Sequence, residues 1–299
     1  MELSDKITAV GKMQKYIDAN LEGEITLEAL SRAAGYSKYH AARIFKELTG
    51  KTPFETMRAL RLTRAAQALR DTEGKVIDAA LDHGFESHDG FTRAFTRQFG
   101  VRPGDYSREK PPVRWFVHYP IEANYPPKEG ETAMEQIRPT MTVTAMERPA
   151  RKLILVRSVK ATDYFSFCEE IGCEWEGLFN SIKEKFDNAA LLTLPQNLVT
   201  PGTGNTASGV EVPIGYNKPL PGGCDIIELP PCTMLYFQGA PYQEENSFGE
   251  AIMLLWEIMD EYDPALYGLK YAPELAPYFN FGAEAKTGAR MARPVGKII

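Results

Sequence analysis

The sequence predicts a multidomain chain. An all-α N-terminal domain carries two helix-turn-helix motifs, and a linker joins it to an α+β domain with two long helices packed on a pseudo-twofold antiparallel sheet. Three observations predict this. One helical signature is written twice between Thr26 and Gly100, a proline-rich aperiodic stretch follows, and the remainder alternates strand-like and helix-like segments in two rounds. The 299 residues fit two domains, and a 43% hydrophobic fraction with 11% aromatic residues is ample for two cores.

Residues 3–20 read as an amphipathic helix with Leu3, Ile7, Val10, Met13, Tyr16 and Ile17 on one face. The repeated signature follows. Its first copy reads LSRAAGYSKYHAARIFKELTGKTP and its second ALDHGFESHDGFTRAFTRQFGVRP. With one extra residue after the turn glycine (Gly35, then Gly84), Ser37 matches Ser87, Arg43 matches Arg93, Phe45 matches Phe95, Gly50 matches Gly100 and Pro53 matches Pro103. A short helix, a turn glycine, a capping serine and a glycine-closed amphipathic helix are the written form of a helix-turn-helix, whose second helix can enter a DNA major groove.

Between the copies, Thr52-Pro53-Phe54-Glu55 reads as a capping box with proline at the first helical position. The helix it opens extends to about Asp71 and is roughly 27 Å long at 1.5 Å per residue. Successive major grooves on one face of B-DNA recur at about 34 Å. One rod therefore holds two readers near that separation without a dimer. On each second helix, residues near the start and away from Phe45 or Phe95 point at DNA: Lys38, Tyr39, Ala42 and Arg43 in the first, His88, Asp89, Thr92 and Arg93 in the second. Arg43 and Arg93 lead, because bidentate Arg–guanine pairing is the commonest specific contact. Asp89 fits either a cytosine contact or a helix-dipole role, and His88 either a base contact or a place beside the cap. Lys38, Lys46, Arg58, Arg61, Arg64 and Arg97 are placed for phosphates.

Overall charge at first argues against nucleic acid, at −6. Residues 1–108, however, carry 17 Lys+Arg against 15 Asp+Glu, a net +2, which leaves −8 for the rest. Cys168, Cys173, Cys224 and Cys232 form no C-x-x-C pair, so reduced thiols are expected and no metal site. No apolar run approaches membrane-spanning length and the start lacks a signal-peptide pattern, so a cytoplasmic protein without membrane association is expected.

The run from about Gly11 to Ser107 resembles the DNA-binding domain of AraC/XylS transcription activators, especially the MarA/SoxS/Rob branch. The motifs NLEGEITLEALSRAAGYSKYHAARIFKELTGKTPFETMRALRLTRAAQAL and VIDAALDHGFESHDGFTRAFTRQFGVRPGDYS carry the likeness. It implies double-stranded DNA read in two successive major grooves, with RNA polymerase as a further partner. Ala42 departs from that branch, which has a polar base reader there, so no operator sequence transfers.

Domain limits are expected at 1–108, 109–136 for the linker and 137–299. The linker has proline pairs at 111–112 and 126–127, while Trp115, Phe116, Val117 and Tyr119 are apolar for a free tether. Docking on one domain or forming a partner surface would each explain them. Beyond it, strands are expected at Thr140–Met146 and Lys152–Val159, then one long helix from Asp163 to Phe186 with Trp175 in its apolar stripe. Strands at Val210–Ile214, Asp225–Leu229 and Thr233–Gln238 precede a helix capped by a Ser247/Glu250 box. Tyr278–Phe281 and Ala289–Val295 form a last hairpin.

This half resembles the GyrI-like effector-binding domain through the Trp175 helix, ELPPCTMLYFQG, FGEAIMLLWEIM and RMARPV. The resemblance implies a cleft for small, often aromatic or cationic molecules, with Trp175, Glu211, Tyr216, Tyr236, Tyr278, Phe279 and Phe281 as ligand-binding candidates. Glu211 fits a pocket carboxylate or a solvated one. The penultimate strand reads Tyr278-Phe279-Asn280-Phe281 where many members carry an acid, which favours a neutral aromatic or amphipathic effector. No nucleophile–base or paired-carboxylate arrangement is present, so no catalytic residue, cofactor or enzyme activity is expected. A small-molecule hydrolase fused to a DNA-binding domain and a ligand-sequestering protein are the alternative classes.

Overall fold

A computed structural model of the chain describes residues 2–72, 74–124, 140–243 and 247–298. These divide into two compact units. The first holds residues 2–110 and 115–124, and the second holds 111–114 and 140–298.

The first unit is helical: α1 (Leu3–Asn20), α2 (Leu27–Ala34), α3 (Lys38–Thr49), α4 (Pro53–Asp71), α5 (Val76–Asp82), α6 (His88–Phe99) and α7 (Pro103–Glu109). Local chemistry sets these limits. Thr26 caps α2 by accepting from the Ala29 amide at 3.2 Å. Thr52 and Glu55 form the reciprocal capping box of α4, with the Thr52 amide donating to Glu55 Oε2 at 2.8 Å. Gly50 and Gly100 close α3 and α6 in the left-handed region, at φ 76° and 73°. Of the two capping serines, Ser87 accepts from the Gly90 amide, whereas Ser37 makes no side-chain cap bond.

Val10, Met13 and Ile17 of α1 pack with Leu30, Ile44, Phe45 and Met57 in one core. The second motif packs around rings: Phe95 lies 5.4 Å from Phe91, 4.7 Å from Phe99 and 5.6 Å from Tyr106 between centroids. Residues 115–124 run along the same unit. Trp115 is buried with the Arg70 guanidinium 4.5 Å from its ring. The Phe116 amide donates to Thr63 Oγ1, while Gln14 binds the Tyr119 carbonyl and the Ile121 amide. The apolar half of the expected linker thus docks on this unit. The second proline pair, 126–127, lies outside the described residues.

The second unit is a sheet of β1 (Met141–Arg148), β2 (Arg151–Arg157), β3 (Ala190–Thr193), β4 (Thr206–Pro213), β5 (Asp225–Leu229), β6 (Cys232–Gly239), β7 (Leu269–Tyr271), β8 (Tyr278–Glu284) and β9 (Gly288–Lys297). Its helices are α8 (Tyr164–Ile171), α9 (Trp175–Asn180) and α10 (Phe248–Glu261). The strand order is β1-β6-β9-β8-β3-β4-β2-β5, with β7 on β9, and every pairing is antiparallel. Outward from the β3/β8 junction, the order β3-β4-β2-β5 mirrors β8-β9-β6-β1. The leading strands are exchanged: β1 precedes β2 but pairs β6, and β5 precedes β6 but pairs β2.

Strand alternation gives the sheet two faces. On one, α8 and α9 cover Ile154, Val210 and Val212, and α10 covers Leu235, Phe237 and Met291. The other gathers Leu153, Leu155, Leu192, Met234, Tyr236, Phe279 and Ala292.

Two expectations are corrected here. The single Asp163–Phe186 helix is two short ones, broken at Gly172, whose φ of 92° and ψ of 151° leave the helical region. The Glu170 carboxylate folds back onto the amides of Val159, Lys160 and Ala161, at 2.5, 3.0 and 3.0 Å, and fixes the chain entering α8. The apolar period ran through the break because Phe167, Trp175, Phe179 and Ile182 enter one core. Among the described helices of the second unit, only α10 is therefore long. Its N-terminus also differs: Ser247 makes no side-chain cap bond, so the Ser247/Glu250 capping box is absent. Among the described residues no helix is long and apolar enough to cross a membrane.

Candidate functional site

Helices α3 and α6 are each 12 residues long and present the same register positions. Each buries a phenylalanine, Phe45 or Phe95, at 0% exposure and turns its arginine, Arg43 or Arg93, outward. On α3, Tyr39 is 89% exposed, and Lys38 and Lys46 are exposed while Ala42 is half-buried. Arg43 Nη2 lies 3.2 Å from His40 Nδ1, and Lys38 Nζ lies 3.0 Å from Glu28 Oε2. On α6, His88 and Asp89 are exposed, with 3.7 Å between His88 Nδ1 and Asp89 Oδ1. Thr92 is half-buried, and its shielded hydroxyl has no hydrogen-bond partner.

A cleft of about 630 Å³ lies beside α6, lined by Phe54, Arg58 and Arg61 of α4 and by Arg93 and Arg97 of α6. Four guanidinium groups there make a positive surface suited to phosphate. Arg61 is less free than the sequence suggests. Its Nε donates to the Leu21 carbonyl at 2.9 Å and its Nη2 to the Gly23 carbonyl at 2.5 Å, clamping the turn after α1.

In the second unit the structure separates the seven ligand candidates. Trp175 and Tyr216 are buried in the core beneath α8 and α9. Tyr278 instead faces Arg293, whose guanidinium lies 4.9 Å from its ring. Glu211, Tyr236, Phe279 and Phe281 come together on the sheet face opposite α8, α9 and α10. Near-parallel rings form a row there: Tyr236–Phe281 at 6.0 Å and 22°, Phe279–Phe281 at 5.8 Å and 13°.

Glu211 is not solvated, at 4% exposure. Its Oε1 lies 2.5 Å from Nε of the fully buried Arg151, and its Oε2 lies 3.7 Å from Arg148 Nε. Burial pushes its carboxyl above the usual range, against the pull of Arg151 and Arg148. Arg148 donates to the Tyr236 hydroxyl and reaches Asp187 Oδ2 at 3.4 Å. Asp187 in turn takes a bidentate pair from Arg290, at 2.8 and 2.6 Å. The Arg290 guanidinium lies 4.9 Å from the Tyr236 ring and 4.6 Å from the Phe281 ring. Burial opposes charge on Arg148, yet the Tyr236 hydroxyl, Glu211 and Asp187 together raise its pKa.

Sequence reasoning missed Arg148, Arg151, Asp187 and Arg290. The visible signal was a set of arginines at strand ends and in the closing RMARPV. No cluster of three or more His, Cys, Asp or Glu side chains able to hold a metal occurs among the described residues.

The paired, outward-facing second helices define the first unit as a double helix-turn-helix. Comparison with known proteins agrees: a helix-turn-helix domain family matches residues 30–109. Regulatory protein SoxS of Salmonella typhimurium is 36% identical over 92 residues, 31% of this chain and 86% of SoxS. The right origin-binding protein of Escherichia coli strain K12 is 37% identical over 107 residues. That match spans 33% of this chain and only 37% of the relative's length. A solved transcriptional regulator from Chromobacterium violaceum, described as having an AraC-type DNA-binding domain, is 25% identical over 34% of this chain and 90% of its own, with a TM-score of 0.32. The chain belongs to the AraC family, through its first unit.

Proposed function

We propose that this protein is a sequence-specific transcription regulator. Residues 1–108 bind double-stranded DNA, with α3 and α6 in successive major grooves, and residues 137–299 form a GyrI-like domain that senses a small aromatic or amphipathic effector. The observation that carries the reading is the matched pair of helices, equal in length and register, each burying its phenylalanine and exposing its arginine. Arg43 and Arg93 read bases, helped by Tyr39, Ala42, His88, Asp89 and Thr92. Lys38, Lys46, Arg58 and Arg97 hold phosphates and set register without specifying sequence.

The effector side is supported by the row of aromatic rings on the sheet face opposite α8, α9 and α10. Control follows from linkage: an effector shifts DNA occupancy, or contact with RNA polymerase, only by favouring one arrangement of the chain over another. The protein acts in the cytoplasm.

The test takes a DNA site selected from random duplexes by the full chain. Arg43→Ala or Arg93→Ala should each cost about 1–3 kcal/mol on that site and relax preference at one position. A loss that is equal on selected and random DNA for both variants would refute base reading by these residues.

A further inference from the structure

We propose that the sheet face opposite α8, α9 and α10 in the second unit takes an anionic aromatic effector, a flat apolar ring system carrying one carboxylate, with Arg290 as the group that receives the charge. This rests on the effector-sensing reading above and gives it a ligand class. The ring row and the charges around it carry the argument. Tyr236, Phe281 and Phe279 lie nearly parallel; Tyr236 and Phe279 are buried, so the half-buried Phe281 is the member of the row on which a further ring can stack. Three guanidinium groups (Arg148, Arg151 and Arg290) meet two carboxylates, Glu211 and Asp187, leaving one positive charge in excess.

Both carboxylates are already engaged. Glu211 is 4% exposed and held by Arg151, while Asp187 is chelated by Arg290. A cationic ligand would find no free counter-charge and would meet the one positive charge in excess, a repulsion that is costly once desolvated. A carboxylate meets the opposite situation. Arg290 has a side chain that is 32% exposed, and a guanidinium offers five N–H donors, of which Asp187 occupies two. Arg148 Nε, buried nearby, has no hydrogen-bond partner. An aromatic carboxylate therefore places its ring on the Phe281 row and its charge against the free edge of Arg290.

Three probes that share one ring system and differ in charge test this on the full chain by calorimetry: 2-naphthoate, neutral 2-naphthol and cationic 2-naphthyltrimethylammonium. The expected result is binding of 2-naphthoate, at least tenfold weaker binding of the other two, and at least tenfold loss of 2-naphthoate affinity in Arg290→Gln. Arg290→Lys, which keeps the charge but not the fork, should fall between. Unchanged circular dichroism and DNA affinity in both variants establish that they fold. Equal or tighter binding of the cation or of naphthol would overturn the charge assignment and leave effector sensing standing. Binding of 2-naphthoate that ignores both Arg290 variants would overturn the site. Absence of binding by all three probes would overturn both the proposal and the effector reading on which it rests.

Discussion

Glu211→Leu should destabilise the second unit by about 3–5 kcal/mol, the usual cost of leaving one member of a buried ion pair alone. The structure supplies the terms. Arg151 is 0% exposed, Glu211 is 4% exposed, and Nε meets Oε1 at 2.5 Å. At an effective dielectric of about 20, unit charges ~4 Å apart attract by about 4 kcal/mol, which agrees with that range. Without Glu211, Arg151 keeps only the Pro230 carbonyl at 2.7 Å, the Pro149 carbonyl at 3.4 Å and Cys232 Sγ at 3.4 Å, none of which balances its charge. The double variant Glu211→Leu/Arg151→Leu removes both charges and should recover at least half of the loss. Urea unfolding followed by near-ultraviolet circular dichroism, with hydrogen exchange at β2 and β4 amides to assign the transition, measures each corner of the cycle. A single-variant loss below about 1 kcal/mol, or strictly additive losses in the double variant, would refute the reasoning.

Other parts of the fold make their own predictions. Thr52→Ala removes the capping box that starts α4 and should cost about 1 kcal/mol in the urea transition of the first unit. Phe95→Ala empties a fully buried site among three other rings and should cost about 3–5 kcal/mol, with loss of DNA binding by the second motif, read by footprinting. Glu170 is held below its ordinary carboxyl pKa of 4.5 by hydrogen bonds from the amides of Val159 and Lys160. Because the folded value is depressed, its contribution is present above 4.5 and is lost as pH falls below it. The amide shifts of Val159, Lys160 and Ala161 should move together in that acid window in an NMR titration, and should stay put in Glu170→Ala.

Local signals were legible in the sequence, and long-range ones were not. The caps at Thr52 and Ser87 and the closing glycines at 50 and 100 are fixed by residues within one helical turn of each other, so the first unit could be read almost element by element. The same locality misled at Gly172. The apolar period there records which residues face the sheet, and two short helices on one face write the same pattern as one long helix. Strand β3 stayed hidden because its four residues are mostly alanine and leucine, which favour helix over strand, and the run is too short to show an alternation. The polar face was the least visible. Arg290 and Asp187 are 103 positions apart and Arg151 and Glu211 are 60 apart, so only the sheet order brings them together. Glu211 could be seen to point away from Val210 and Val212, but not toward two arginines.

The account depends most on one chain using both second helices at once. Hydroxyl-radical footprinting on a selected site, combined with the mass of the complex, tests this directly. The expected result is two protected half-sites centred 10–10.5 base pairs apart, the spacing of successive major grooves, with one chain per duplex. A single protected half-site, or two chains needed to protect both, would contradict it.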